Sequence, residues 1–202
     1  MDTNKPSISV RTMVFTALFT AVLCVVAPFS ITIGPIPLSF ATLVIYLAAG
    51  SLTWKYGATA VVLYIILGAI GLPVFSNFEG GFHKIAGLTG GFIIGYIPLA
   101  LVAGVLADVS KGNRLLYVLG MVIGTGLLYT CGVAWFMLQT ELPLVTALIA
   151  CVTPFLIGDS IKIIIAWLVA PQLRKAIPLA AQRRNAECVM PKTEFKDREK
   201  PE

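Results

Sequence analysis

The sequence predicts an all-α fold, that of a polytopic membrane protein with a bundle of six transmembrane helices. Three observations predict it. Of the 202 residues, 57% are hydrophobic and only 12% are charged, whereas soluble domains carry about 25% charged residues. The apolar residues form six blocks, most of them close to the ~20 residues that a spanning helix needs. The basic residues cluster between alternate blocks, which is typical of membrane proteins.

The six blocks follow one another through mostly short connections, so we expect a single membrane domain over residues 12–177. Residues 1–11 precede the first helix as a cytoplasmic segment. Residues 178–202 are polar, charged and poor in aromatic residues, so this tail is predicted to be disordered. The helices are predicted at about 12–29, 38–54, 57–73, 88–107, 115–138 and 144–171.

The distribution of Lys and Arg residues orients the predicted bundle. Thirteen of the fifteen fall on one side of the membrane if the helices alternate in direction. The other two are Lys84, on the opposite side, and Lys162, inside the last helix. Because basic residues concentrate in cytoplasmic segments, both termini are predicted to be cytoplasmic. The net charge of +5 then suits anionic lipid headgroups, and nothing in the pattern favours a nucleic-acid partner.

An acid and a base lie in the middle of the last predicted helix, PFLIGDSIKIIIAWLVA. Asp159 and Lys162 are three residues apart, so they share one helix face. A charge inside a membrane costs about 3 kcal/mol or more, and such residues usually face a polar interior. The pair offers a hydrogen-bond acceptor and a donor, which suits a small ligand with N–H and C=O or carboxylate groups. The alternative is a self-neutralising pair that only packs.

The longest connection runs between the third and fourth predicted helices and reads PVFSNFEGGFHKIAGLTGG. It mixes paired glycines with aromatic residues. Long loops in compact bundles are often lids or binding loops, and we predict a lid here. An ordinary exposed connection is the alternative.

Ala17 and Ala21 lie four residues apart in the first predicted helix. Small residues at this spacing form a flat stripe on which another helix can approach closely. The sequence leaves open whether that helix belongs to the same chain or to a partner.

Motifs for catalysis are missing from the sequence. There is no GxxxxGK[ST] phosphate loop, HExxH or GxSxG, and His83 is the sole histidine. The four cysteines form no CxxC pair. We therefore expect no enzyme activity, no catalytic residues, no metal site and no cofactor.

Four stretches of the chain read GPIPLSFATL, GLPVF, EGGFHKIAGLTGGF and IGDSIK. Together they resemble the BioY family, the biotin-specific substrate-binding (S) components of energy-coupling-factor (ECF) transporters. The resemblance covers about residues 11 to 175. It implies a six-helix bundle of the ECF S-component type, without ATPase activity, in a bacterial cell membrane. It also implies three kinds of partner: biotin, a transmembrane T component and two cytoplasmic ATPases.

The resemblance assigns roles to particular residues. The substrate-binding acid and lysine of the family correspond to Asp159 and Lys162, and the small residues that contact the T component correspond to Ala17 and Ala21. In the family, the first and third outer loops cover the pocket. The expected lid residues here are Gly80, Gly81, Thr89, Gly90 and Gly91. Further candidates for substrate contacts are Asn77 and Lys84.

Three positions depart from the usual family pattern. Ala41 stands where a Gln is common, Glu79 where a basic residue precedes the Gly pair, and Leu88 where a Pro precedes TGG. These departures leave open which residue binds the carboxylate of biotin. Lys84 is the candidate that the sequence offers.

Two other functions are kept as alternatives. The first is a self-sufficient carrier of biotin or a related vitamin, coupled to protons through Asp159. The second is a structural membrane subunit without a ligand, in which substitution of Asp159 is tolerated.

Overall fold

The computed structural model describes residues 10–32, 36–110 and 113–177. The predicted tail, 178–202, and most of the predicted N-terminal segment, 1–11, lie outside the described residues. Helices make up most of what is described, which confirms the predicted all-α fold class. They are α1 (Val10–Val26), α2 (Ala41–Ser51), α3 (Trp54–Ile70), α4 (Phe82–Ala86), α5 (Gly90–Val109), α6 (Arg114–Thr140), α7 (Leu144–Cys151) and α8 (Thr153–Ala176).

Three apolar helical stretches in the described residues are long enough to cross a membrane. Three other apolar helices are shorter. The long stretches are Gly90–Val109, Arg114–Thr140 and Leu144–Lys175, and the shorter helices are Val10–Val26, Ala41–Ser51 and Trp54–Ile70. The length and apolar composition of these helices therefore indicate a membrane protein.

The predicted last helix, 144–171, is divided in two in the structure. α7 ends at Cys151, and α8 begins at Thr153. The break follows from Pro154, which lies within the first two positions of α8. Proline lacks a backbone N–H and its ring collides with the carbonyl four residues earlier, so it fits the start of a helix and not the interior. The prediction of one continuous helix therefore needs this correction.

The predicted second helix, 38–54, is shorter in the structure. Its first residues form strand β2 (Pro37–Ser39), which pairs antiparallel with β1 (Ser30–Thr32). The Ser39 hydroxyl donates to the carbonyl of Ala27 (2.7 Å) and accepts from the N–H of Ala41 (3.0 Å). The side chain of Ser39 thus connects the end of α1 to the start of α2. These two hydrogen bonds also hold the backbone of Ser39, and with it the Ser39 carbonyl, in place.

Close packing between helices depends on small residues. In α6, a side chain at Gly124 would come within 2.8 Å of Leu99 in α5, and one at Gly120 within 2.8 Å of Leu106. Small residues at such positions let membrane helices approach closely. α2 is buried almost all round and contacts α1, α3, α5 and α8. It is the central helix, so polar groups on it meet groups from its neighbours.

An ion pair joins three helices at one end of the bundle. Arg174 of α8 donates to Asp108 of α5 (3.2 Å) and to the Ala107 carbonyl (2.8 Å). The same carboxylate accepts from the backbone N–H of Trp54, at the start of α3 (2.9 Å). The segment between α3 and α5 lies at the other end, against the last turns of α6.

Candidate functional site

Asp159 and Lys162 lie together on the inner face of α8. Both residues are buried, with 3% and 5% of their surface exposed. Lys162 Nζ donates to Asp159 Oδ1 at 3.0 Å. The structure therefore places both predicted site residues side by side, and both face a pocket inside the bundle.

The ammonium group of Lys162 has a partner for each of its three N–H donors. It donates to the Ser39 carbonyl (2.7 Å), to Thr42 Oγ1 (2.9 Å) and to Asp159 Oδ1 (3.0 Å). A lysine ammonium carries three donors and no acceptor. Its hydrogen bonding is thus complete within the protein, as a buried charge requires.

The carboxylate of Asp159 is held by three side chains. Oδ1 accepts from Lys162 and from Thr42 Oγ1 (3.2 Å), and Oδ2 accepts from the Tyr129 hydroxyl (2.7 Å). Each carboxylate oxygen can accept about two hydrogen bonds. Oδ1 accepts two, whereas Oδ2 accepts one from the side chains that the structure describes. Oδ2 can therefore accept one more N–H.

The pocket combines this polar cluster with apolar and aromatic walls. Such a composition is usual for small-molecule sites. Its lining consists of Ile36, Pro37, Ser39, Thr42, Tyr64, Phe75, Ser76, Lys84, Thr89, Phe92, Ile93, Tyr96, Leu128, Tyr129, Phe155, Asp159 and Lys162. The volume open to the centre of a water molecule is about 30 Å³, which is room for about two waters. The side chains must therefore move apart to admit a larger molecule.

An aromatic cluster forms one wall. The rings of Phe92 and Phe155 are stacked, with their centroids 5.9 Å apart, and Tyr129 meets Phe155 edge-on at 6.4 Å. Tyr129 therefore belongs to both parts of the site, because its ring joins the apolar wall and its hydroxyl binds Asp159. This wall gives a ligand a flat apolar surface next to the carboxylate.

The segment between α3 and α5, residues 71–89, is called the lid below. It contributes four residues to the pocket lining: Phe75, Ser76, Lys84 and Thr89. Two side chains of α6 hold its far end: Trp135 donates to the Gly87 carbonyl and Gln139 to the Ala86 carbonyl, both at 2.9 Å.

None of the expected lid glycines lines the pocket. Gly80 and Gly81 belong to this segment, whereas Gly90 and Gly91 are the first residues of α5. Gly81 has a φ of +98°, which L side chains rarely adopt. At Gly80 a side chain would collide with the Leu72 carbonyl, and at Gly90 with the Ile85 carbonyl. At Gly91 it would collide with Trp135. Gly80 and Gly90 thus let the backbone of the lid pack closely on itself and on the start of α5, and Gly91 lets α5 approach α6.

Two charged residues of the lid meet at its surface. Lys84 Nζ lies 2.6 Å from Glu79 Oε2, and the exposed fractions of the two side chains are 17% and 45%. Lys84 lines the pocket, whereas Glu79 does not.

Asn77 lies on the outer side of the lid and is exposed. It accepts a hydrogen bond from Ser30 of β1 at 2.8 Å, and its N–H donates to the Pro28 carbonyl at 3.0 Å. It borders a surface depression outside the pocket. In this arrangement Asn77 connects the lid to β1 and to Pro28, between α1 and β1.

The sequence model of the BioY family matches residues 1–179 of the chain.

The chain belongs to the BioY family.

Relatives of known name extend over nearly the whole membrane domain. The chain is 39% identical to the "Biotin transporter BioY" of Thermotoga maritima over 166 residues, which are 82% of this chain and 96% of that protein. It is 35% identical to the "Probable biotin transporter BioY" of Pyrococcus horikoshii over 78% of this chain and 93% of that one. The "Biotin transporter BioY" of Rhizobium etli is 32% identical, over 87% and 99%.

A crystal structure shares the fold. It is described as the S-component for biotin from an ECF-type ABC transporter, and it superposes with a TM-score of 0.75 at 28% identity. The match covers 87% of this chain and 95% of that one. The resemblance predicted from four short motifs is thus confirmed, together with the S-component fold.

Ala17 and Ala21 lie on the exposed face of α1 in this BioY protein, away from the pocket. The opposite face is buried and carries Thr16 and Thr20. The hydroxyl of Thr20 donates to the Ala60 carbonyl of α3 at 3.3 Å. The small-residue stripe therefore faces away from the protein's own core.

Three further groups of the site did not follow from the sequence: Thr42, Tyr129 and the Ser39 carbonyl. Thr42 directly follows Ala41, the position at which Gln is common in the family. From this first turn of α2, Thr42 contacts both Asp159 and Lys162. Tyr129 is one of six tyrosines, and several threonines also occur in apolar helices. Nothing in the sequence distinguished these two from the others, because only the packing of α2 and α6 against α8 brings them to Asp159.

Proposed function

We propose that this BioY protein binds biotin in the pocket between α2, α5, α6 and α8 and mediates its uptake across the membrane. The observation that carries the proposal is the carboxylate of Asp159, held by Lys162, Thr42 and Tyr129 with one acceptor position left toward an aromatic pocket. Membership of the BioY family and the names of the relatives support biotin as the substrate.

The chemistry of biotin fits this cluster. Its ureido ring has two N–H donors and one carbonyl acceptor. One N–H binds Asp159 Oδ2 with charge assistance, which makes the bond stronger than one between neutral groups. Lys162 donates to the ureido carbonyl only by giving up one of its present partners. The fused rings and the valeryl chain lie against the wall of Phe92 and Phe155, as apolar parts of a ligand usually do.

Entry of biotin requires that the lid move. The pocket has room for about two waters, and biotin is several times larger. Residues 71–89 form part of the pocket lining and contain no helix longer than the five residues of α4 (Phe82–Ala86), so in this proposal they are the segment that opens and closes over the ligand. In the proposed topology the lid faces outward and the termini face the cytoplasm of a bacterial cell.

Energy for transport comes from separate subunits in this proposal, a T component and two cytoplasmic ATPases. The chain has no phosphate-binding loop, and the exposed Ala17–Ala21 stripe offers a surface on which a partner helix can approach closely. A carrier coupled to protons through Asp159 is the other candidate, and the observation in its favour is the burial of that carboxylate inside the bundle.

Two measurements on the purified protein test the proposal. Titration calorimetry with biotin should show saturable binding at one site per chain, and a well-folded protein that gives no binding would contradict the proposed substrate. Uptake of labelled biotin into vesicles distinguishes the two energy sources. The proposal predicts uptake only with the T component, the ATPases and ATP, whereas a proton gradient alone suffices for a proton-coupled carrier.

A further inference from the structure

Within the lid, the carboxylate of Glu79 lies beside the ammonium group of Lys84, a residue that lines the pocket. Among the described residues, the cationic side chains that line the pocket are Lys162 and Lys84. Lys162 is surrounded by three acceptors, as given above. Lys84 has one hydrogen-bond partner within the described part of the chain, the carboxylate of Glu79 at 2.6 Å. An ammonium has three N–H donors, so Lys84 retains the capacity to bind another anion.

The two residues of this pair differ in their position relative to the pocket. Lys84 is largely buried and lines it, whereas Glu79 is 45% exposed and approaches the ammonium from outside the lining. The backbone of Lys84 is fixed, because Thr89 donates to its carbonyl at 3.3 Å and its own N–H donates to Gly81 at 3.1 Å. Only the side chain of Lys84 has to turn for its ammonium to leave Glu79 and point inward.

We infer that Lys84 binds the carboxylate of the ligand and that Glu79 competes with that carboxylate for the same ammonium, an inference which rests on the proposed function. The pocket holds a polar acceptor cluster at Asp159 and a cation on the lid. A ligand with an N–H group at one end and a carboxylate at the other matches both. When the ligand carboxylate replaces that of Glu79, the lid is joined to the ligand by an ion pair.

The energetics favour such an exchange. An ion pair with one partner half exposed is worth little, because water and salt screen it and two side chains must be held still. A ligand carboxylate beneath the lid is better shielded from water, so its bond to the same ammonium is stronger. Glu79 therefore reduces affinity modestly, and it selects for ligands whose own negative charge can replace it.

The test compares two ligands, biotin and biotinamide, in which a neutral carboxamide replaces the carboxylate. Lys84→Met should weaken biotin binding by about tenfold or more, as expected for loss of a charged hydrogen bond, and change biotinamide binding by less than about threefold. Glu79→Gln should tighten biotin binding by about two- to fivefold and leave biotinamide binding unchanged. In the Lys84→Met background the effect of Glu79→Gln should vanish, which a double-mutant cycle measures.

Glu141→Gln is the matched control. Glu141 is exposed and directly follows α6, the helix whose last turns hold the lid. It tests whether any loss of negative charge at this end tightens biotin binding, and we expect no change. An elution profile of each variant in detergent verifies that it is folded.

The outcomes separate this inference from the proposed function. If wild type binds biotin but Lys84→Met weakens both ligands equally, or neither, Lys84 does not bind the carboxylate and the inference is overturned while the proposed function stands. Glu79→Gln and Glu141→Gln tightening biotin equally would also overturn it. If the folded wild type binds neither ligand, the proposed function itself is wrong, and the inference falls with it.

Discussion

Lys162 lies three residues after Asp159 on α8 and donates a 3.0 Å hydrogen bond to it, and the two side chains are 6% and 4% exposed. Each charge is therefore stabilised by the other in surroundings where an unpaired charge is costly. The pair also borders the pocket, so it affects both folding and ligand binding. Substitutions at the two positions must be measured for stability and for affinity separately.

Lys162→Met should destabilise the fold and weaken biotin binding. It leaves the Asp159 carboxylate buried without its cation, and breaking a buried pair in this way costs about 3–5 kcal/mol. Thermal unfolding in detergent measures the loss of stability, and titration of the folded fraction measures affinity. Lys175→Met is the control, because Lys175 is exposed on the same helix outside the pocket. Equal stability of the two variants would show that the pair is not held as described.

Tyr129→Phe should weaken biotin binding by about three- to tenfold while the protein stays folded. The substitution keeps the ring on the aromatic wall but removes the 2.7 Å bond to Asp159 Oδ2. Hydrogen bonds to charged groups contribute about 1.5–3 kcal/mol, and a water or the ligand can replace part of this one. Tyr56→Phe, outside the pocket lining, serves as the control. Unchanged affinity in Tyr129→Phe would mean that the hydroxyl does not orient the carboxylate for the ligand.

The sequence predicted the charged pair because charges are rare inside membrane helices. Asp159 and Lys162 were the only charged residues that lay inside an apolar block at a spacing that puts both on one helix face. The partners of the pair were not predictable in the same way. Thr42 lies 117 residues from Asp159 and Tyr129 lies 30 residues away, so their role depends on how helices pack.

Helix boundaries were predicted less well than helix positions. Composition alone locates an apolar block, but proline and loop pairing decide where a helix starts. Pro154 lies at the start of α8 and divides the last apolar block into two helices. Because β2 pairs with β1, α2 begins only at Ala41. The lid was predicted as a long loop with glycines. Its ion pair between Glu79 and Lys84 was not predicted, because it depends on how residues 71–89 fold.

Ala17→Leu and Ala21→Leu should each reduce co-purification with the T component and spare biotin binding. Both alanines lie on the exposed face of α1, and a larger side chain keeps a partner helix at a distance. Ala134→Leu is the matched control, since Ala134 is exposed on α6. Intact co-purification together with lost biotin binding would place the role of the stripe inside this chain.

The orientation in the membrane can be measured by cysteine labelling. Thirteen basic residues on one side predict cytoplasmic termini and an outward lid. In a variant without the native cysteines, an impermeant reagent added outside intact cells should label a cysteine at Asn77 and not one at Gln182. The reverse pattern would contradict the orientation.

Titration of biotin into the Asp159→Asn variant tests whether the carboxylate of Asp159 binds the ligand. Asparagine keeps the size and one acceptor oxygen but removes the charge. The bond to the ureido N–H then loses its charge assistance, and Lys162 loses its counter-charge. We expect at least about a tenfold loss of affinity for biotin, equivalent to ~1.4 kcal/mol, in monodisperse protein. Wild-type affinity in folded Asp159→Asn would contradict it.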